Sequence, residues 1–155
     1  MKTQSKILAF TLLTLIFWVT QPAWAAVGVS LNINRNTINF PDADPDTVPR
    51  VPASENPITI SVKVTGNPGG SWTLTVLASG DLVSGSYVIP VSNVSWTATP
   101  LPFTDGKLDR TTPQVVATGS GNASLTGSVQ FYFKNSWNYF TGNYSQVIIY
   151  TLSAP

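Results

Sequence analysis

From Val27 onward apolar residues recur at every second position in short runs, and this period of two constrains the fold more than any other feature of the chain. Val27, Val29, Leu31 and Ile33 alternate with Gly28, Ser30, Asn32 and Asn34, and after a turn at Arg35-Asn36 the phase resumes at Ile38 and Phe40. Ile58, Ile60, Val62 and Val64 repeat the pattern up to the turn cluster Gly66-Asn67-Pro68-Gly69-Gly70. Trp72, Leu74 and Val76 take it up on the far side, so the pattern predicts a hairpin of strands 58–65 and 71–78. Further strands are expected at 87–91, 94–99, 115–118, 127–134 and 144–152. Residues 41–57 carry five prolines and are expected to be an irregular surface connection, because proline cannot donate to a sheet ladder. Residues 100–113 read as a loop and 135–143 as a turn-rich aromatic segment. No window after residue 26 has helical periodicity. Eight or nine short strands with regular turn signals predict an all-β, antiparallel β-sandwich of immunoglobulin-like or jelly-roll style.

The segment ahead of this pattern is of another kind. Lys2 and Lys6 precede an apolar run from Ile7 to Val19, and Ala23-Trp24-Ala25 supplies the small residues of a cleavage site. The apolar run is shorter than the ~20 residues a membrane span needs, so residues 1–25 read as a secretory signal peptide. Residues 26–155 are then one extracytoplasmic domain, secreted or at the cell surface, with no membrane span after cleavage. That domain has six basic residues (Arg35, Arg50, Lys63, Lys107, Arg110, Lys134) and seven acidic ones, a net charge of −1. It offers no basic field for nucleic acid. The chain has no cysteine and no histidine, which removes the disulfide, the thiolate nucleophile, the commonest general base and the commonest transition-metal ligand. No catalytic residues, cofactor or metal are expected.

Two short motifs stand out. Trp72-Thr73-Leu74 is a Trp-x-Leu triplet, and the chain closes with Gly142-Asn143-Tyr144 leading into Tyr150-Thr151-Leu152-Ser153-Ala154-Pro155. Together they resemble the WxL-like domains of bacterial cell surfaces, with Tyr150 where the second tryptophan of that pattern would stand. The resemblance implies a non-catalytic domain that associates with cell-wall polymer, with Trp72, Leu74, Tyr150 and Leu152 as the matching positions. Strand alternation gives these same residues a second role, since Trp72 with Leu74, and Tyr150 with Leu152, each share one face and suit a core.

Other clusters of the sequence have plainer roles. Asp42, Asp44 and Asp46 alternate like the opening of a calcium loop, but Thr47 and Ala53 occupy the places where that loop needs Gly and Glu. Asp105 and Asp109 share one polar loop with Lys107 and Arg110 and read as solvated carboxylates, not a glycosidase pair. The triplets beginning at Asn93, Asn122 and Asn143 are formal glycosylation sequons that read as turn residues. Trp137, Tyr139 and Phe140, with Trp96 and Phe103, are candidates either to stack on sugar rings or to plug one end of the core. The expectation is a structural or binding domain that engages cell-wall polysaccharide, peptidoglycan or a partner surface protein. The alternatives are a fimbrial subunit that self-assembles by β-strand complementation, and a carbohydrate-binding module using loop aromatics. Signal processing is expected to leave Ala26 as the first residue; intact mass of the exported protein checks it, and an envelope species retaining Met1 contradicts it.

Overall fold

A computed structural model of the protein describes residues 26–155; the segment read as a signal peptide lies outside the described residues. Eleven strands follow in order: β1 (Gly28–Ile33), β2 (Arg50–Pro52), β3 (Ile58–Thr65), β4 (Ser71–Ala78), β5 (Leu82–Ser84), β6 (Tyr87–Ile89), β7 (Val94–Thr99), β8 (Gly106–Lys107), β9 (Gln114–Ser120), β10 (Ala123–Lys134) and β11 (Ile148–Ser153). Every pairing among them is antiparallel. The larger sheet runs β1-β3-β10-β7-β8 with β2 also on β10, the second runs β11-β4-β9, and β5 and β6 form a small hairpin of their own. The two larger sheets enclose one hydrophobic core, the sandwich that the alternation predicts. Among the described residues no helix is long and apolar enough to cross a membrane.

The expected hairpin of 58–65 and 71–78 does not form. Both strands have the predicted bounds, but β3 belongs to the larger sheet and β4 to the smaller one. Ile58, Ile60, Val62 and Val64 of β3 and Trp72, Leu74, Val76 and Ala78 of β4 are all buried in the shared core. Alternation says that each strand has one apolar face. It does not say whether the two faces lie side by side or opposite one another. The turn between them carries the chain across, with Gly66 and Gly69 at positive φ and the Asn67 side chain buried. The Asn67 amide N–H donates to Asn122 Oδ1 at 2.9 Å, and its own Nδ2 donates to the Ser71 carbonyl at 3.1 Å.

Three large aromatic rings cover glycines in the core. Trp72 lies over its register partner Gly119, Trp96 over its partner Gly106, and Phe103 over Gly127; a Cβ at any of the three would collide with the ring. In β9 both Val116 and Ala117 are buried, which strict alternation forbids, and a register shift opposite Leu74 and Thr75 accommodates them.

The proline-rich segment 41–57 is not wholly without strand, because Arg50–Pro52 pairs with Tyr132–Lys134 at the end of β10. Between β2 and β3 the ladder along β10 would be broken. Asn56 and Ala53 fill the gap: the Asn56 Oδ1 accepts the Phe131 N–H at 2.8 Å, and the Phe131 carbonyl accepts from the Asn56 Nδ2 at 2.7 Å and from the Ala53 N–H at 3.0 Å. The side-chain amide thus replaces a peptide group in the sheet. The substitution Asn56→Ala orphans the Phe131 N–H, the carbonyl keeping its bond from the Ala53 N–H, and is expected to cost ~1–3 kcal/mol, while Asn56→Asp keeps the acceptor and costs less. Chemical denaturation of the three proteins checks this order, and an Asn56→Ala variant as stable as the parent contradicts the bridging role.

Candidate functional site

The two motif strands are neighbours. β11 pairs with β4 so that Leu152 stands opposite Leu74 and Tyr150 opposite Val76. Trp72 and Leu74 are 2% and 0% exposed, so neither touches a polymer while the domain is folded. Tyr150 and Leu152 are half-buried, packed against the same core, and burial pushes the Tyr150 phenol above its ordinary pKa. These four positions therefore join the second sheet to the core. Trp96 and Phe103 are core residues as well, and the Trp96 indole N–H donates to the Thr104 carbonyl at 2.8 Å.

The aromatic segment before β11 divides. Tyr139 is half-buried and packs its ring on Phe133, with centroids 5.8 Å apart, so it closes the end of the core. Trp137 and Phe140 do not: they are 68% and 64% exposed. Each is nevertheless held. The Trp137 indole N–H donates to Asp46 Oδ1 at 3.0 Å, tying the aromatic segment to the acidic proline loop across 91 residues of sequence. The Phe140 ring stacks on Tyr87 with centroids 4.4 Å apart and planes inclined by 21°. The Tyr144 hydroxyl donates to the Phe140 carbonyl, and paired backbone hydrogen bonds between Val83 and Ser145 fix the segment to the β5–β6 hairpin. Fixing an exposed aromatic ring in this way lowers the entropic cost of ligand binding.

The acidic loop and the aromatic segment form two walls of an open cleft of about 1310 Å3, with Trp137, Phe140, Asn39, Asp42 and Asn143 among its lining residues. Such a cleft offers flat apolar faces beside amide and carboxylate groups that can exchange hydrogen bonds with hydroxyls. Sequence reasoning identified Trp137 and Phe140 but missed Tyr87 and Asp46, which come to the site only through tertiary contacts.

The remaining carboxylates serve local structure. Asp44 Oδ1 accepts the Asp46 N–H at 2.9 Å, and among the described residues no three acidic side chains are grouped to hold a metal ion. Asp105 accepts the Ala98 N–H at 2.7 Å. Asp109 accepts N–H bonds from Thr111 and Thr112 and the Thr111 hydroxyl, which together hold its carboxyl down at about 2. Asn122 is engaged in the turn at Asn67. No protein-family model, no curated protein and no solved structure matches the chain.

One atom of the core is unusual: the buried Trp72 Nε1 has no hydrogen-bond partner among the described residues. Removing that donor along with part of the ring offsets some of the lost packing. Trp72→Phe is therefore expected to cost about 1 kcal/mol and Trp72→Ala ~3–5 kcal/mol, read by urea denaturation. A Trp72→Ala variant that melts like the parent yet loses polymer binding would return the motif to a binding role.

Proposed function

We propose that this protein is a non-catalytic, extracytoplasmic surface domain that binds neutral cell-wall polysaccharide at the aromatic end of its sandwich. The observation that carries this is the pair of exposed, immobilised rings at one cleft, Trp137 anchored by Asp46 and Phe140 stacked on Tyr87. Sugar rings present flat C–H faces that dock on such platforms, while Asp and Asn side chains read the hydroxyls. Asp42, Asp44 and Asp46 beside the cleft disfavour a polyanion. A binding role without catalysis agrees with a chain that has neither histidine nor cysteine and with carboxylates occupied by backbone N–H groups.

A fimbrial subunit built by strand complementation fits less well, because the N-terminal strand that would serve as donor is paired along its whole length with β3 of its own sheet. Kinship with WxL-like domains is compatible with the proposal, provided that the triplets are marks of the fold and the ligand sits elsewhere.

Residues 26–155 are expected to co-sediment with an insoluble neutral polysaccharide, and more weakly with peptidoglycan sacculi, whose peptide stems carry carboxylates. Trp137→Ala is expected to weaken the interaction about tenfold or more, the equivalent of ~1.4 kcal/mol of lost stacking, without lowering the melting temperature appreciably. Full retention of binding by the double variant Trp137→Ala, Phe140→Ala, or a parent protein that stays in the supernatant with every polymer, overturns the proposal.

A further inference from the structure

The two lateral sides of the sandwich are finished differently. On one side β8 pairs with β7, the Thr104 N–H donates to the Val116 carbonyl of β9, and Phe103 forms a bridge with Ala117, so the sheets are joined across the gap. On the other side, among the described residues, no strand pairs with the outer edge of β1. The direction of each backbone group there follows from the ladder. The Asn34 N–H donates to the Thr59 carbonyl, so Asn34 and the other even-numbered residues of β1 face β3. The N–H and C=O groups of Val29, Leu31 and Ile33 consequently point outward and have no backbone partner among the described residues.

Edge strands of natural proteins are normally protected by charge, proline or a bulge. The β1 sequence Gly28-Val29-Ser30-Leu31-Asn32-Ile33 contains no charged residue and no proline, and its register with β3 is unbroken. Leu31 and Ile33 pack on the core, whereas Val29 points to the same side and is left 47% exposed.

We infer that β1 is a homodimerisation edge, pairing antiparallel with β1 of a second copy about a two-fold axis at Leu31. The occupant is identified by self-complementarity. Placing Leu31 opposite Leu31 of the second copy sets Val29 opposite its Ile33 and Ser30 opposite its Asn32. Apolar residues then meet apolar residues on the core face, and amide meets hydroxyl on the outer face. The three residues whose backbone groups point outward are the three that this register hydrogen-bonds, so two copies use every outward donor and acceptor from Val29 to Ile33. Charge also permits it. Lys63, beside Ser30 on the outer face, falls in a row with Ser30, then Asn32 and Ser61 of the second copy, so the two lysines lie in separate rows. The Ser61–Thr126 hydroxyl pair at 3.1 Å extends each row with uncharged groups at the end away from its lysine. Such an isologous contact closes at two copies.

Sedimentation velocity of residues 26–155 across a concentration series is expected to show a reversible monomer–dimer equilibrium. Val29→Pro removes an outward N–H and adds bulk at the edge without touching the ladder to β3, so it is expected to be monomeric with a near-parental melting temperature. Val29→Lys places a charge at the same contact and serves if the proline variant fails to fold. Ser30→Pro, which deletes an inward N–H, is expected to destabilise the fold. Leu31→Cys is expected to give a disulfide-linked dimer under mild oxidation, because the two Cα atoms at the axis lie about 5.5 Å apart in a hydrogen-bonded pair. Its bond is intermolecular by necessity, since the chain has no other cysteine. A protein monomeric at all concentrations, a dimer that persists in both Val29 variants, or filaments from pairing of β1 with β11 of the next copy, overturns the inference.

Discussion

Two apolar stripes facing one another across the sandwich, one on β3 and one on β4, are the interaction on which the remaining structure depends. Each is a run of four alternate residues, and every one of the eight side chains is buried. β10 extends the first stripe through Val129 and Phe131, and β11 attaches to the second through Leu152 and Tyr150. The aromatic rings over Gly119, Gly106 and Gly127 fill the width that aliphatic residues alone leave open. In a domain without disulfides this close contact replaces the covalent staple that many secreted β proteins use. It also explains where polar groups are tolerated: Asn67 and Asn56 satisfy themselves against backbone at points where the chain must leave or rejoin a ladder.

The strands that alternation located best are those with one face fully in the core. β3, β4 and β7 have the bounds expected from sequence, since the period of two is a direct record of burial on one side. The partner of a strand is recorded less well. The Gly-Asn-Pro-Gly-Gly cluster after β3 announces a reversal, and either a hairpin or a crossing between sheets satisfies it. β2 escaped because its pairing rests on three residues, one of them proline, beside the end of a strand 80 positions further along. β1 shows the reverse: its alternation is clear, yet Val29 is not covered, because β1 is an edge.

The candidate site was partly legible for a similar reason. Trp137 and Phe140 stood out as aromatic residues in a turn-rich segment, where side chains are not needed for a ladder. Nothing local distinguished them from Tyr139, which turns inward to Phe133, or from Trp96 and Phe103, which the core absorbs. What sorts these residues is tertiary contact: Asp46 reaches Trp137 from the acidic loop, and Tyr87 meets Phe140 from a hairpin. The same sorting places Trp72 inside, so the most conspicuous motif in the chain holds the fold together while a less conspicuous tryptophan faces solvent.

That division rests on the three tryptophans between Ala26 and Pro155, whose indole N–H groups report it separately. Trp96, itself buried, donates to the Thr104 carbonyl, Trp72 is buried without a partner among the described residues, and Trp137 donates to a carboxylate at the surface. Hydrogen exchange of the three indole protons, followed by NMR, is the most direct measurement. Trp72 and Trp96 should exchange only through opening of the whole domain, and Trp137 within the dead time or orders of magnitude faster. A Trp72 indole exchanging as fast as that of Trp137 would contradict the assignment of the motif to the core.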